Sequence, residues 1–218
     1  MPNWVSTTMS VSGDEALIKQ FTEQAARPYR TFNRGGFNDG KYEPDLIIEG
    51  EREAPISFWN FIEPQNKDAY FGPEPKTDPS MTVEERIAKL MDDSSVHWYD
   101  WNIRNWGTKW DACDPAVVAA SETSVTYSFS TAWSPAEGAF RAMVEQFPSL
   151  EFRFDCLEEQ GWGVEFAGKD GDIYVVREWD VPTCHTDWVN AGLDCVQCAN
   201  YDEDEWYSDC PRDLAPTD

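Results

Sequence analysis

Thr123-Ser-Val-Thr-Tyr-Ser-Phe-Ser-Thr131 runs on through Ala-Trp into Ser134-Pro-Ala-Glu137, and Gly-Ala-Phe140 then leads to Phe147-Pro148. The first part alternates, with Val125, Tyr127 and Phe129 on one side, the two-residue period of a half-buried strand. The second part changes period. Phe140, Met143, Val144 and Phe147 recur at three- and four-residue steps, an apolar helix stripe that Pro148 ends. Ser134 with Glu137 three positions on has the capping-box pattern, with Pro135 at the first helical position. A strand that feeds directly into a helix is half of a β-α-β unit, so the fold turns on what flanks it.

Downstream, Glu151–Glu158 alternates with Phe152, Phe154 and Cys156 on one face. Trp162, Val164 and Phe166 mark the next strand, Lys169-Asp-Gly-Asp172 a tight turn, and Ile173–Trp179 the return. Upstream, Val5, Thr7, Met9 and Val11 share one side of a strand that Ser12-Gly-Asp14 ends. Leu17, Phe21 and Ala25 form a helix stripe that stops near Arg27-Pro28. Residues 29–55 are rich in Gly, Asn and acids and read as an irregular loop. Ile56-Ser-Phe-Trp-Asn-Phe-Ile62 reads as a short second strand. Residues 64–80 are a Pro-rich, turn-rich insertion. Thr82-Val-Glu-Glu85 has a further capping-box pattern, followed by an apolar face of Val83, Ile87, Leu90 and Met91. The order β-α-β, insertion, β-α-β and a final hairpin predicts an α+β fold. It is a ferredoxin-like split β-α-β sandwich with a helical Trp-rich insertion and an extra C-terminal hairpin. The expected domain is 1–180, with the insertion at about 63–122 and an acidic, Cys-containing tail at 181–218. The ferredoxin-like label concerns topology alone, since no iron–sulfur cysteine spacing is present.

Several segments carry a family resemblance, and they fall in order: Asn3-Trp4, Phe58-Trp-Asn-Phe-Ile-Glu-Pro64, Trp98-Tyr-Asp-Trp101, Asn105-Trp-Gly-Thr-Lys-Trp-Asp111 and Phe129-Ser-Thr-Ala-Trp-Ser-Pro135. Over residues 3–179 the chain resembles the YubB/Api-type ferredoxin-like proteins of phages and conjugative plasmids. The resemblance implies an accessory protein of a mobile element, with counter-defence among its expected roles. It brings no set of catalytic residues. The loops at 29–55 and 64–80 and the Cys-bearing tail depart from the pattern.

Charge bounds the partners. Of 218 residues, 41 are Asp or Glu and 17 are Lys or Arg, a formal net charge of −24. A field of that sign repels phosphate backbones, so direct nucleic-acid binding is disfavoured unless Arg27, Arg30, Arg34 and Lys41 gather in space. It favours a host protein with a basic surface. No apolar run reaches the ~20 residues of a membrane helix. The N-terminus lacks a basic stretch followed by an apolar one, so a cytoplasmic protein is expected.

Two constellations could carry chemistry. Cys184, Cys195, Cys198 and Cys210, with His185 as an alternative ligand, contain one Cys-x-x-Cys knuckle, which can supply two sulfurs of a tetrahedral structural zinc site. Unligated thiols remain an equal reading, and a disulfide is disfavoured in a reducing cytosol. Cys113 and Cys156 are not expected as metal ligands, and Cys156, in an alternating strand, reads as a small core residue. The second constellation is Trp101, Asn105, Trp106, Lys109, Trp110 and Asp111. One reading makes it a lock that pins the insertion onto the sheet. The other makes it a partner- or ligand-binding patch with Trp hot spots. His97 beside it lacks an orienting carboxylate and nucleophile in evident register and is expected to pack on Trp98. An enzyme is disfavoured, and the leading expectation is a non-enzymatic protein that binds a host defence or nucleic-acid-handling factor. The alternative is a small-ligand or nucleotide-derivative binder, or an enzyme, with a Trp-lined cleft near 98–111.

Overall fold

Alternation in Trp4–Ser12 (β1) sends Val5, Met9 and Val11 inward, each at most 1% exposed. Burying such a side chain contributes about 1.5–3 kcal/mol. Both neighbours of β1 are strands from far along the chain. The computed structural model describes residues 2–33, 37–38, 41–42, 46–72, 80–92, 96–181 and 192. Residues described between 30 and 51, and residue 90, are described by backbone alone. After β1 come α1 (Glu15–Ala25), β2 (Tyr29–Asn33), β3 (Phe37–Asn38), β4 (Lys41–Tyr42), β5 (Leu46–Arg52) and a 3₁₀ turn (Phe58–Asn60). Next are α2 (Lys67–Tyr70), α3 (Val83–Met91), α4 (Trp98–Asn105), β6 (Cys113–Ala120), β7 (Ser124–Ala132) and α5 (Glu137–Gln146). The chain then forms β8 (Glu151–Glu158), β9 (Gly163–Lys169) and β10 (Asp172–Trp179).

The main sheet has six strands in the order β10-β9-β8-β1-β7-β6, and the pairs are antiparallel. Within it, β1-α1-β6-β7-α5-β8 with spatial order β8-β1-β7-β6 is the split β-α-β arrangement, an α+β ferredoxin-like fold. β9 and β10 extend the β8 edge. Residues 26–112 lie between α1 and β6.

The core fills the helix side of the sheet. Phe21 of α1 meets Phe147, Phe152 and Tyr127 edge-on and Phe61 at a tilt. Phe140 of α5 stacks on Phe154 at 4.1 Å and 13°. Aromatic pairs of this kind add about 0.5–1.5 kcal/mol beyond their buried area. The opposite face is left open and polar. On it β1 and β7 set hydroxyl residues directly opposite one another: Ser6 and Ser130, Thr8 and Ser128, Ser10 and Thr126, Ser12 and Ser124.

Four expectations change. Ile56–Ile62 is not a strand; it holds the 3₁₀ turn, with every residue from Ile56 to Phe61 buried. An apolar run buried all round has no period to distinguish the two. The second strand of the fold is β6 instead. Residues 29–55 are not an irregular loop, because β2 pairs with β5 and β3 with β4. The Ser134–Glu137 capping box does not form. Ala136 occupies the N-cap without a side-chain bond, and the Ser134 hydroxyl donates to the Gly107 carbonyl at 2.6 Å. The box at Thr82–Glu85 does form, with both reciprocal bonds. The apolar face behind it is uncovered: Val83, Ile87 and Met91 are 65%, 55% and 69% exposed.

Candidate binding surfaces

The Trp-rich segment is assembled from α4 and the turn that follows. Helical spacing places Trp101 and Trp106 on the inner side, each 2% exposed. Their rings meet edge-on at 5.6 Å, and Trp101 meets Tyr70 of α2 at 5.5 Å. The Trp106 indole N–H donates to the Ile62 carbonyl, and its ring meets Phe58 at 6.0 Å. Asn105 donates from its amide to the Trp101 carbonyl within its own helix. Asn102, buried, accepts from the Tyr70 hydroxyl and donates to the Lys109 carbonyl. Burial pushes the Tyr70 phenol well above its ordinary range. Thr108 exchanges two hydrogen bonds with Ala132 at the end of β7.

Asp111 closes this knot. One carboxylate oxygen accepts from the Phe58 and Ala112 amides at 2.7 Å each, and the other accepts from the Ser57 hydroxyl. It therefore caps the 3₁₀ turn from another part of the chain, the task an N-cap side chain performs locally. The residue keeps some exposure, but its carboxyl is enclosed. Burial raises that carboxyl above its ordinary range despite the three donors.

Two of the six sequence-derived residues keep an accessible edge without a fixed role in the knot. Lys109 places its ammonium 4.7 Å from the centre of Trp110 and 5.3 Å from Tyr99, while Trp110 packs at 5.9 Å on Trp4. Tyr70, Phe58 and the indoles of Trp101 and Trp106 pack against one another in the region where the alternative reading expects a Trp-lined cleft. His97 packs against Trp98 at 5.7 Å. Cys113 and Cys156 are buried, and the Cys113 thiol donates to the Asp111 carbonyl at 3.3 Å. Burial pushes Cys156 up to about 12, where thiolate chemistry is shut off at neutral pH. Cys184, Cys195, Cys198, Cys210 and His185 lie outside the described residues.

The topology and the Trp segment together bear on kinship. Residues 105–186 match the family model described as "Ferredoxin-like domain in Api92-like protein". That span runs from the end of α4 through the C-terminal hairpin. The crystal structure of a protein api92 from Yersinia pseudotuberculosis superposes on 84% of this chain and 99% of its own. The identity is 10% and the TM-score 0.41. No curated protein matches the chain.

Two clefts flank the Trp knot. One, of about 770 Å³, lies between α1 and the 3₁₀ turn. Its floor is Trp59 and Tyr29, and Arg27, Lys67 and Glu63 stand on its rim. These charges are already engaged: Arg27 donates to the Asn60 carbonyl, and Lys67 bridges Glu63 at 2.8 Å. The second, of about 660 Å³, opens between the start of α5 and the β9–β10 wing. It holds Trp162 and Trp179, which the sequence reading left as strand residues. These residues line it together with Glu137 only through the tertiary fold.

Proposed function

We propose that the protein is a non-enzymatic interaction protein of a phage or related mobile element, and that it binds a host protein with a basic surface. The observation that carries the reading is a net charge of −24 on a chain whose surface also presents large apolar side chains. Trp133, Tyr174, Val175 and Val176 are each about half exposed. Trp133 moreover holds φ at 73°, a backbone state uncommon for a bulky residue and concentrated at functional positions. An acidic field speeds encounter with a basic partner, and aromatic contact area supplies the adhesion. The likeness of residues 105–186 to an Api92-like domain supports the mobile-element part of the reading.

The charges on the open sheet face argue against nucleic acid as the partner. Its cations are spent internally: Arg177 bridges Glu165, Arg153 bridges Glu165 and Asp155, and Lys169 bridges Glu151. A phosphate backbone would meet no unpaired cation on that face among the described residues. Arg30, Arg34 and Lys41, which would have to join Arg27 in a basic patch, have no described side chains.

Affinity purification from host cells with the partner identified by mass spectrometry tests the reading. Affinity for the captured protein should fall at least tenfold as ionic strength rises from about 0.05 to 0.5 M. A salt-independent affinity, or capture of acidic proteins only, would overturn it.

A further inference from the structure

The cleft beside α5 has a chemical character of its own. Trp162, Val164, Phe166 and Val175 line it, together with the acidic residues Glu137, Glu178 and Asp180. Among the described residues, no Lys, Arg or His lines it. Glu137 is bridged by Arg141 at 3.1 Å and, at the first turn of α5, offsets the positive end of that helix. Glu178 and Asp180 make no ion pair among the described residues.

The Trp179 ring is fixed in place. Its indole N–H donates to the Gly161 carbonyl at 2.8 Å, and the ring lies over Gly163. A Cβ at position 163 would sit 2.3 Å from the ring. The same ring already takes a guanidinium: Arg177 stands 4.6 Å from its centre. Behind Trp162, at the neck of the β8–β9 hairpin, Glu158 is 1% exposed. One of its oxygens accepts from the Gln160 amide and the other has no hydrogen-bond partner among the described residues.

The cleft is continuous with a sheet edge that no described strand pairs with. β10 is the last strand of the sheet, and Tyr174, Val175 and Val176 on it are 55%, 49% and 56% exposed. An exposed apolar edge strand is a template for an added strand.

We infer that this cleft takes lysine or arginine side chains from an extended basic segment of the partner protein laid along β10. The inference rests on the proposed function and names the surface that carries it. Long cationic side chains suit such a place on three counts. Apolar walls take the methylene stem, the Trp162 indole attracts the charged head, and two carboxylates without an ion pair among the described residues, Glu178 and Asp180, complete the match. The charged residues that line it are acidic, which disfavours an anionic ligand.

The test uses the full chain and a fluorescein-labelled short peptide alternating Lys and Val, read by fluorescence anisotropy at low ionic strength. The wild-type protein should bind it and ignore a peptide alternating Glu and Val. Glu178→Gln with Asp180→Asn, both exposed, should weaken binding about tenfold. Trp162→Leu should weaken it at least threefold with an unchanged circular dichroism spectrum. A control pair outside the cleft, Glu84→Gln with Glu122→Gln, changes net charge equally and should weaken binding less than twofold. Equal weakening by both pairs would overturn the cleft and leave the general preference for basic partners standing. An unchanged affinity in the cleft pair would do the same. Failure of the wild-type protein to bind the Lys-Val peptide at all would count against both.

Discussion

Asp111 offers the sharpest test of how the Trp segment is held. Its carboxylate serves three donors: the Phe58 amide, the Ala112 amide and the Ser57 hydroxyl. Asp111→Ala strands all three in a sheltered place. At about 1–1.5 kcal/mol for each stranded group, less the relief of burying a charge, the loss should be about 3 kcal/mol. Asp111→Asn keeps an acceptor oxygen for the two amides, and its amide can donate to a reoriented Ser57 hydroxyl. Its loss should be about 1 kcal/mol. Urea unfolding followed by Trp fluorescence measures both. With a slope of about 2–3 kcal/mol per molar, the alanine midpoint should drop by about 1 M. The pH dependence adds a second signature. Because burial raises this carboxyl above its ordinary 3.8, the folded state holds the proton more tightly than the unfolded chain does. The group thus favours folding most at low pH, and that preference is lost as pH rises through the folded value. Asparagine carries no such proton. The stability gap should therefore move in favour of Asp111→Asn across that acid window and stay flat above it. Equal losses for alanine and asparagine would refute the hydrogen-bond account, and a gap independent of pH would refute the burial account.

Two further outcomes are expected. In Gly138→Ala the new Cβ would lie 2.2 Å from the Asn105 carbonyl oxygen, a backbone atom that cannot swing aside. Forcing α4 and α5 apart should lower Tm by about 5–10 °C, and a shift under 1 °C in a thermal melt would show that the crossing is looser than described. Cys156 should resist iodoacetamide in the native protein at neutral pH and react fully after unfolding, as read by peptide mass mapping. Its thiol is buried and pushed up to about 12. Native labelling at the unfolded rate would contradict that burial.

What the sequence disclosed depended on whether an element has one buried and one open side. β1, β7 and β8 alternate cleanly in burial, and each is visible as a two-residue period. The stripe of α5 is equally plain, with Phe140, Met143 and Val144 fully buried. β6 escaped notice for the converse reason. It is an edge strand with Pro115, several alanines and two register shifts, and beyond Cys113 no residue in it is fully buried. Such a strand is specified by its partner β7 rather than by its own pattern. The Trp segment was visible as a cluster, yet composition alone could not say that Trp101 and Trp106 face inward while Lys109 caps an outer ring. The α5 cleft was hidden for another reason. Glu137 and Trp179 stand 42 positions apart in the chain, and only the folding of the β9–β10 wing over α5 joins them.

The pairing of β1 has a consequence for the order of events during synthesis. Trp4 lies opposite Ala132, and Val5 opposite Glu158. β1 therefore leaves the ribosome ahead of both partners, which are made more than a hundred residues later. At roughly 5–20 residues per second that delay is on the order of ten seconds. During it, Val5, Met9 and Val11 have no sheet to join, and only α1 can shield them. The acidic residues spread along the intervening chain keep such a nascent segment apart from its neighbours on a polysome. A charge profile suited to meeting a basic partner would also protect a fold whose central strand closes last.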